Sequence, residues 1–250
     1  MPRVFVQSVN GVPWGVSSAA AALGFSDMGA EVVPFAVDDG IPAGTARDMV
    51  VGGVGCVRRR LRELGCDVPS IDYPACLEGF LGRRVWRTTI DSISNNPESW
   101  PVFVKPVEEK RFTGRLVRSA HDLVGCGTCG EDVAAYSSEP VDFLAEWRCF
   151  VLRGQILDVR RYRGDWSVVL DPAVVRNAIA SYTDAPQGYA ADFGLTKDGR
   201  TLLVEINDGY ALGAYGLEPH AYAHLLAARW YELVGLPDPY DFGPLPEPLL

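Results

Sequence analysis

A mixed α/β (α+β) chain, with a small parallel unit in front and antiparallel, β-rich lobes behind, is what three features of the 250 residues predict. Strand and helix signals alternate over residues 1–94, the order that builds a parallel sheet. The character changes at Asn95-Asn96-Pro97, a turn-forming cluster. Beyond it, apolar runs flank Arg153-Gly154 and Asp198-Gly199, which read as hairpin turns. The expected division is therefore 1–94, 95–140 and 141–250.

Taken in order, RVFVQSV reads as a strand, GVSSAAAALGFSDMG as a small-residue helix, EVVPFAV and DMVVGG as strands, and CVRRRLRELG as a helix ending at Gly65. Gly52, Gly53 and Gly55 lie before that helix but do not fit a GxGxxG phosphate loop, because Arg58 stands where the third glycine belongs. A tight strand-to-helix connection is the better reading. Arg58, Arg59 and Arg60 are expected on a solvated helix face, with one lining a cleft as the lesser option. PVFVKPVEEKRFTGRLV gives a strand, a lysine-bearing loop with Gly114, and a second strand. VDFLAEWRCFVLRGQILDVRRYRGDW gives two strands about Arg153-Gly154, and counting outward sets Glu146 opposite Arg161. DPAVVRNAIASYT is a helix with Asp171 as cap and Pro172 as first residue. EPHAYAHLLAARWYELVG reads as an amphipathic helix with Tyr222, Leu225, Leu226, Trp230 and Leu233 as its core stripe. The proline-rich tail is expected to wrap the surface.

A hydrophobic content of 48% suffices for a substantial core, and a formal net charge of −9 with no basic stripe argues against a nucleic-acid partner. No secretion signal or membrane span is expected, which points to a cytoplasmic protein with no membrane partner. Nothing in the sequence decides whether it forms an oligomer. The six cysteines are expected as reduced thiols. Cys126 and Cys129 form a CxxC, but no second pair completes a zinc site, so a thiol or metal role there is an alternative rather than the main reading. His220 and His224 share a helix face without a third ligand, and packing is the better expectation.

The sharpest anomaly is TLLVEINDGY, where Glu205 and Asn207 interrupt an apolar strand and point to one face. Counting from a two-residue Asp198-Gly199 turn sets Asp192 opposite Glu205. Two facing carboxylates repel unless a cation or an arginine separates them. A hard divalent cation suits Asp192, Glu205 and Asn207 as a set. Upstream, Lys105 ends an apolar strand and Lys110 sits in the loop leading to Phe112, Thr113 and Gly114. Either lysine alone reads as a surface charge. Together with the oxygen cluster they suit a nucleotide triphosphate with Mg²⁺, Mn²⁺ being the alternative cation.

In that order VFVKP, EEKRFTG, SEPVDF, EWRCFV, ADFGL and LVEIN resemble the ATP-grasp superfamily over residues 95–215, and YPACLEGFLGRRVWRT resembles the preceding domain of its compact bacterial and phage members. The resemblance implies an ATP-grasp fold, with two β-rich lobes clamping ATP behind the N-terminal α/β domain. It also implies ATP-dependent joining of a carboxylate to an amine or thiol through an acyl-phosphate. Small-molecule or peptide carboxylates and amines would be the substrates. Carried over residue by residue, it sets Lys105 and Lys110 on the phosphates and Glu139, Pro140 and Val141 at the adenine hinge. Asp142 falls toward the ribose, and Arg148 on the γ-phosphate with Glu146 orienting it. Asp192, Glu205 and Asn207 become the metal ligands. Arg161, with Tyr162 and Arg163, either faces a substrate carboxylate or only neutralises Glu146. The CGTCG insertion has no counterpart in the family pattern. A nucleotide-binding regulatory module without ligase activity is the remaining alternative.

Overall fold

Val4, Phe5 and Val6 form an unbroken buried run in β1 (Arg3–Val9), as a parallel strand covered on both faces requires. The computed structural model describes residues 2–108, 111–127, 130–241 and 243. After β1, a two-residue strand β2 (Val12–Pro13) folds back antiparallel, and α1 (Val16–Asp27) leads to β3 (Glu31–Phe35). Then β4 (Met49–Val51) leads into α2 (Val54–Glu63). Both β3 and β4 pair parallel to β1, one on each side.

After α3 (Glu78–Leu81) come β5 (Val85–Thr89), α4 (Ile90–Ser94), β6 (Val102–Pro106), β7 (Arg115–Val117) and β8 (Ala134–Ser138). These strands form one antiparallel sheet in the order β5-β8-β6-β7. Thus Val85–Thr89 joins the sheet of the following lobe, and Ile90 and Ile93 sit in that lobe's core, so no structural break falls near residue 95. β8 went unread in the sequence because Ala134-Ala135-Tyr136-Ser137-Ser138 has no apolar alternation, yet it is the strand that unites β5 and β6.

The last sheet has the order β10-β9-β11-β12, built from β9 (Phe143–Leu152), β10 (Gln155–Gly164), β11 (Gly188–Thr196) and β12 (Thr201–Asp208), with α5 (Pro172–Ser181) between the two hairpins. As expected, Asp171 caps α5, its carboxylate accepting the Ala173 amide at 2.8 Å with Pro172 at the first position. The last helix, α6 (Pro219–Leu233), is not amphipathic: every residue from Tyr222 to Tyr231 is buried. It is wedged between α1 and the β9/β11 sheet, sharing a core with Phe5, Phe25, Phe150 and Ala190. The helices meet so closely that a Cβ on Gly24 of α1 would come 2.1 Å from the Pro219 carbonyl oxygen. Trp230 and Tyr231 donate to the carbonyls of Ala46 and Arg47, tying α6 to the N-terminal layer. Leu77 and Leu81 conversely pack into the core beneath β9, β11 and β12. The three expected segments are therefore interlocked. The proline-rich tail beyond Gly243 lies outside the described residues.

Candidate active site between two sheets

A cleft of about 770 Å³ opens between the β5-β8-β6-β7 sheet and the β10-β9-β11-β12 sheet. One end is lined by Phe103, Lys105, Phe112, Thr113, Gly114 and the connection 138–143, the other by Val54, Tyr162, Arg163, Tyr210 and Tyr215. Glu205, Asn207 and Arg148 lie between.

The opposition of Asp192 and Glu205 is present, but by a route the turn alone does not predict. Thr196 and Arg200 close the hairpin instead of Lys197 and Arg200, with the Thr196 amide donating to the Arg200 carbonyl at 2.9 Å. Gly199 takes the left-handed conformation at φ +81°, which favours glycine in the longer loop. That shifts the register by one residue. A bulge then inserts Val204 between Leu203, which faces Phe193, and Glu205, which faces Asp192. The two displacements cancel. The bulge sends two successive carbonyls to one side, and the Arg83 guanidinium donates to both, to Leu203 and to Val204, each at 2.8 Å. Arg83 was not singled out in the sequence. Its signal, an arginine in LGRRVW, gains meaning only with the bulge in view.

The two carboxylates are separated by cations drawn from different sheets. Arg148 of β9, directly across from Asp192, holds it by two hydrogen bonds of 2.8 Å, and Asn207 Nδ2 donates to the same carboxylate at 3.1 Å. Burial alone would push the Asp192 carboxyl up; the guanidinium opposes it, and the two-point geometry is that of an ionised pair. Burial likewise works against the Arg148 charge, but Asp192 outweighs it and raises the guanidinium above its ordinary value. Glu205 instead takes Lys105 of β6, with Nζ 2.5 Å from Oε2. Lys105 also contacts the carboxylate of Asp72, a residue absent from the sequence reading. Burial pushes Glu205 up, yet Lys105, Arg148 and Asn207 more than offset it and hold the carboxyl below its ordinary range. Lys105 is raised, burial opposing and Glu205, Tyr73 and Asp72 favouring its charge.

The β9–β10 hairpin departs further from expectation. Two bulges move Glu146 from Arg161 to Arg163, which donates to it at 2.7 Å. Arg161 is exposed, bonds the Gly164 carbonyl at 2.6 Å and does not line the cleft. Tyr162, the extra residue of the second bulge, is turned into the cleft instead. Its hydroxyl donates to Glu146 at 2.8 Å and its ring stacks on Tyr215 at 5.2 Å. The Arg148 guanidinium lies 5.0 Å from the Tyr215 ring centroid.

At the connection after β8, Glu139, Pro140, Val141 and Asp142 all line the cleft. Glu139 pairs by backbone and side chain with Arg84, while Asp142 is exposed, 3.8 Å from Lys197. Lys110 and Cys129 lie outside the described residues. Cys126 is buried, and burial raises its thiol, the opposite of a reactive thiolate. Of the arginines on α2, Arg60 is buried against the Pro42 carbonyl at 2.6 Å, contrary to the solvated face expected of it. Arg58 reaches Tyr210, a cleft residue, at 2.8 Å. His220 and His224 contact each other edge to face, and His224 is buried. No three His, Cys, Asp or Glu side chains converge as a metal cluster among the described residues. The oxygens available to a hard cation are those of Glu205, Asn207 and Asp192, and they become free only as Lys105 and Arg148 change partners.

Two antiparallel sheets facing each other across a cleft behind a parallel unit is an arrangement found in solved ATP-grasp structures. The chain is similar to D-cycloserine synthetase DcsG (TM-score 0.58, 13% identity, covering 91% of this chain and 99% of that one). It is similar also to D-alanine–D-alanine ligase from Bacillus anthracis (TM-score 0.51, 17% identity, 94% and 97%). A third similar structure is the ATP-grasp ligase PsnB complexed with a phosphomimetic variant of its minimal precursor, Mg and ADP (TM-score 0.52, 14% identity, 92% and 99%). No curated protein matches the chain. The family is shown by a direct match over residues 80–225: the chain belongs to the ATP-grasp domain family, in the second family of one of its clades.

Proposed function

We propose that this protein is an ATP-dependent ligase that joins a carboxylate to an amine or thiol through an acyl-phosphate, with a small amino acid, peptide or natural-product intermediate as substrate. The observation carrying this reading is the row Arg148–Asp192–Glu205–Lys105, two cations and two carboxylates alternating in pairs across the cleft. Such a row suits a polyanion and a divalent cation that arrive together. The cationic groups go to the phosphates as the carboxylates go to the metal.

In this reading Lys105 binds phosphate, and Lys110 is proposed to join it. The connection Glu139-Pro140-Val141 borders the adenine through its backbone, and Asp142 reaches the ribose. Asp192, Glu205 and Asn207 would hold Mg²⁺, or Mn²⁺ in its place. Their all-oxygen donor set fits a hard cation. When bound, the cation would offset charge on the transferring phosphoryl group. The substrate carboxylate attacks the γ-phosphorus, releasing ADP. The amine or thiol then attacks the acyl carbon, loses its proton and expels phosphate. Arg148 is aimed at the oxygens that gain charge, with Glu146 bordering it through Tyr162. Tyr162 and Arg163 take the substrate-facing role that the sequence offered to Arg161. No helix among the described residues is long and apolar enough to cross a membrane. We read the protein as cytoplasmic.

The test is calorimetric titration of ATP with and without Mg²⁺ on the wild type and Glu205→Ala, followed by a screen for substrate-dependent ADP release. Mg²⁺-dependent binding lost in the variant, with ADP release on adding a carboxylate and an amine or thiol, is the expected result. Binding without substrate-dependent release would make the protein a regulatory module, and no binding would remove the reading.

A further inference from the structure

Asp72 belongs to neither sheet, yet its carboxylate meets the one lysine described in the cleft. It is a buried residue held from three directions. Ser70 Oγ donates to its carboxylate, its carbonyl accepts the Ile206 amide at 2.9 Å, and Lys105 completes the set. The bond to Ile206 fixes Asp72 against β12, next to Glu205. Lys105 therefore has two anionic partners, one rigid (Asp72) and one that also stands among the oxygen donors of the cleft (Glu205).

Resting on the ligase reading above, we propose that Asp72 is a positioning residue. It shares the Lys105 ammonium with Glu205 and so lets Glu205 exchange that ammonium for a divalent cation without leaving Lys105 buried and unpaired. A buried charge that loses its only partner carries a large desolvation cost. With Asp72 present, Lys105 keeps one carboxylate whichever partner Glu205 takes. Without it, Lys105 pairs with Glu205 alone and competes directly with the cation. Asp72 thereby tunes how much Mg²⁺ nucleotide binding requires, while touching neither the metal nor the nucleotide.

The experiment measures the Mg²⁺ dependence of ATP binding by calorimetry on the full chain. The variants are Asp72→Asn, Asp72→Ser, Asp72→Glu, Lys105→Met and the Asp72→Asn/Lys105→Met double variant, each with a thermal melt. Half-saturating Mg²⁺ should rise roughly ten-fold in Asp72→Asn and Asp72→Ser and return toward wild type in Asp72→Glu. Against Lys105→Met, the Asp72 substitution should add nothing. An unchanged Mg²⁺ requirement in a neutral variant overturns the proposal, as does an equal shift with Lys105 absent. Failure of both neutral variants to melt cooperatively also overturns it, making Asp72 purely structural. If the wild type binds no nucleotide at any Mg²⁺ concentration, the ligase reading fails and this inference with it. A wild type that binds normally isolates the fault to Asp72.

Discussion

Arg148–Asp192 and Lys105–Glu205 are neighbouring ion pairs built in contrasting ways. The first joins adjacent strands of one sheet, is bidentate and is almost fully buried. The second spans two sheets through a single flexible ammonium that is shared with Asp72. A planar guanidinium across a ladder is held by the same backbone bonds that hold the strands, whereas a lysine between sheets depends on how closely those sheets approach. One pair is suited to define the architecture of the site and the other to change partners during a reaction.

Breaking the first pair should cost most. Arg148→Met leaves Asp192 buried without a counter-charge and should lower unfolding stability by about 3–5 kcal/mol, read by denaturant melts. Replacing both, Arg148→Met with Asp192→Leu, should recover much of that loss. A double variant as unstable as the single would show that the pair is not the cause.

The second pair should show its effect in turnover before stability. Glu205→Ala should reduce ligation by about 3 kcal/mol in activation free energy, more than a hundred-fold, while the fold persists in circular dichroism. Near wild-type ADP release from this variant would contradict the role given to Glu205.

Arg83 links the comparison to the backbone. Arg83→Met removes the donors to the two carbonyls exposed by the β12 bulge and should cost about 1.5–3 kcal/mol, with added loss of cation affinity as Glu205 shifts. A stability loss with intact Mg²⁺ dependence would mean that the bulge holds without it.

The acid limb gives a smaller effect with a defined sign. Glu205 is held below its ordinary value of 4.5, so its contribution to stability is fully present above the unfolded value and is lost as pH falls through the folded one. The wild type should therefore lose stability below about pH 4.5 more steeply than Glu205→Gln. Parallel limbs in pH-dependent melts would count against the shift. Smallest of all, Arg161→Ala should leave nucleotide binding and turnover unchanged, while Tyr162→Phe, by removing the donor to Glu146, should lower turnover modestly.

The hairpins explain how much of this was legible. Turn residues and apolar alternation identified β9 through β12, and the polar interruptions at Glu205 and Asn207 marked the cleft strand. Register was another matter, because it is the sum of the turn type and every bulge along the pair. In β11–β12 a longer loop and one bulge cancelled, so Asp192 still meets Glu205. In β9–β10 two bulges added, so Glu146 meets Arg163 and Tyr162 is re-aimed at the cleft. Neither bulge leaves a mark in residue type. Asp72 and Arg83 were invisible for a related reason: they act from a connecting segment, where no periodicity signals a direction.

What the sequence by itself determined is therefore local. It set which segments are strands and helices, that Asp171 and Pro172 start α5, and that the charged residues within apolar strands must find partners. Which partners they found was decided only by tertiary structure. Asp192 took an arginine from its own sheet and Glu205 a lysine from the facing one. α6 became buried on every side because it fills the space between the parallel layer and the β9/β11 sheet. The physical reason is one of range. Backbone preference and side-chain alternation act over a few residues, whereas ion pairing and burial depend on distances that exist only once the sheets have closed on each other.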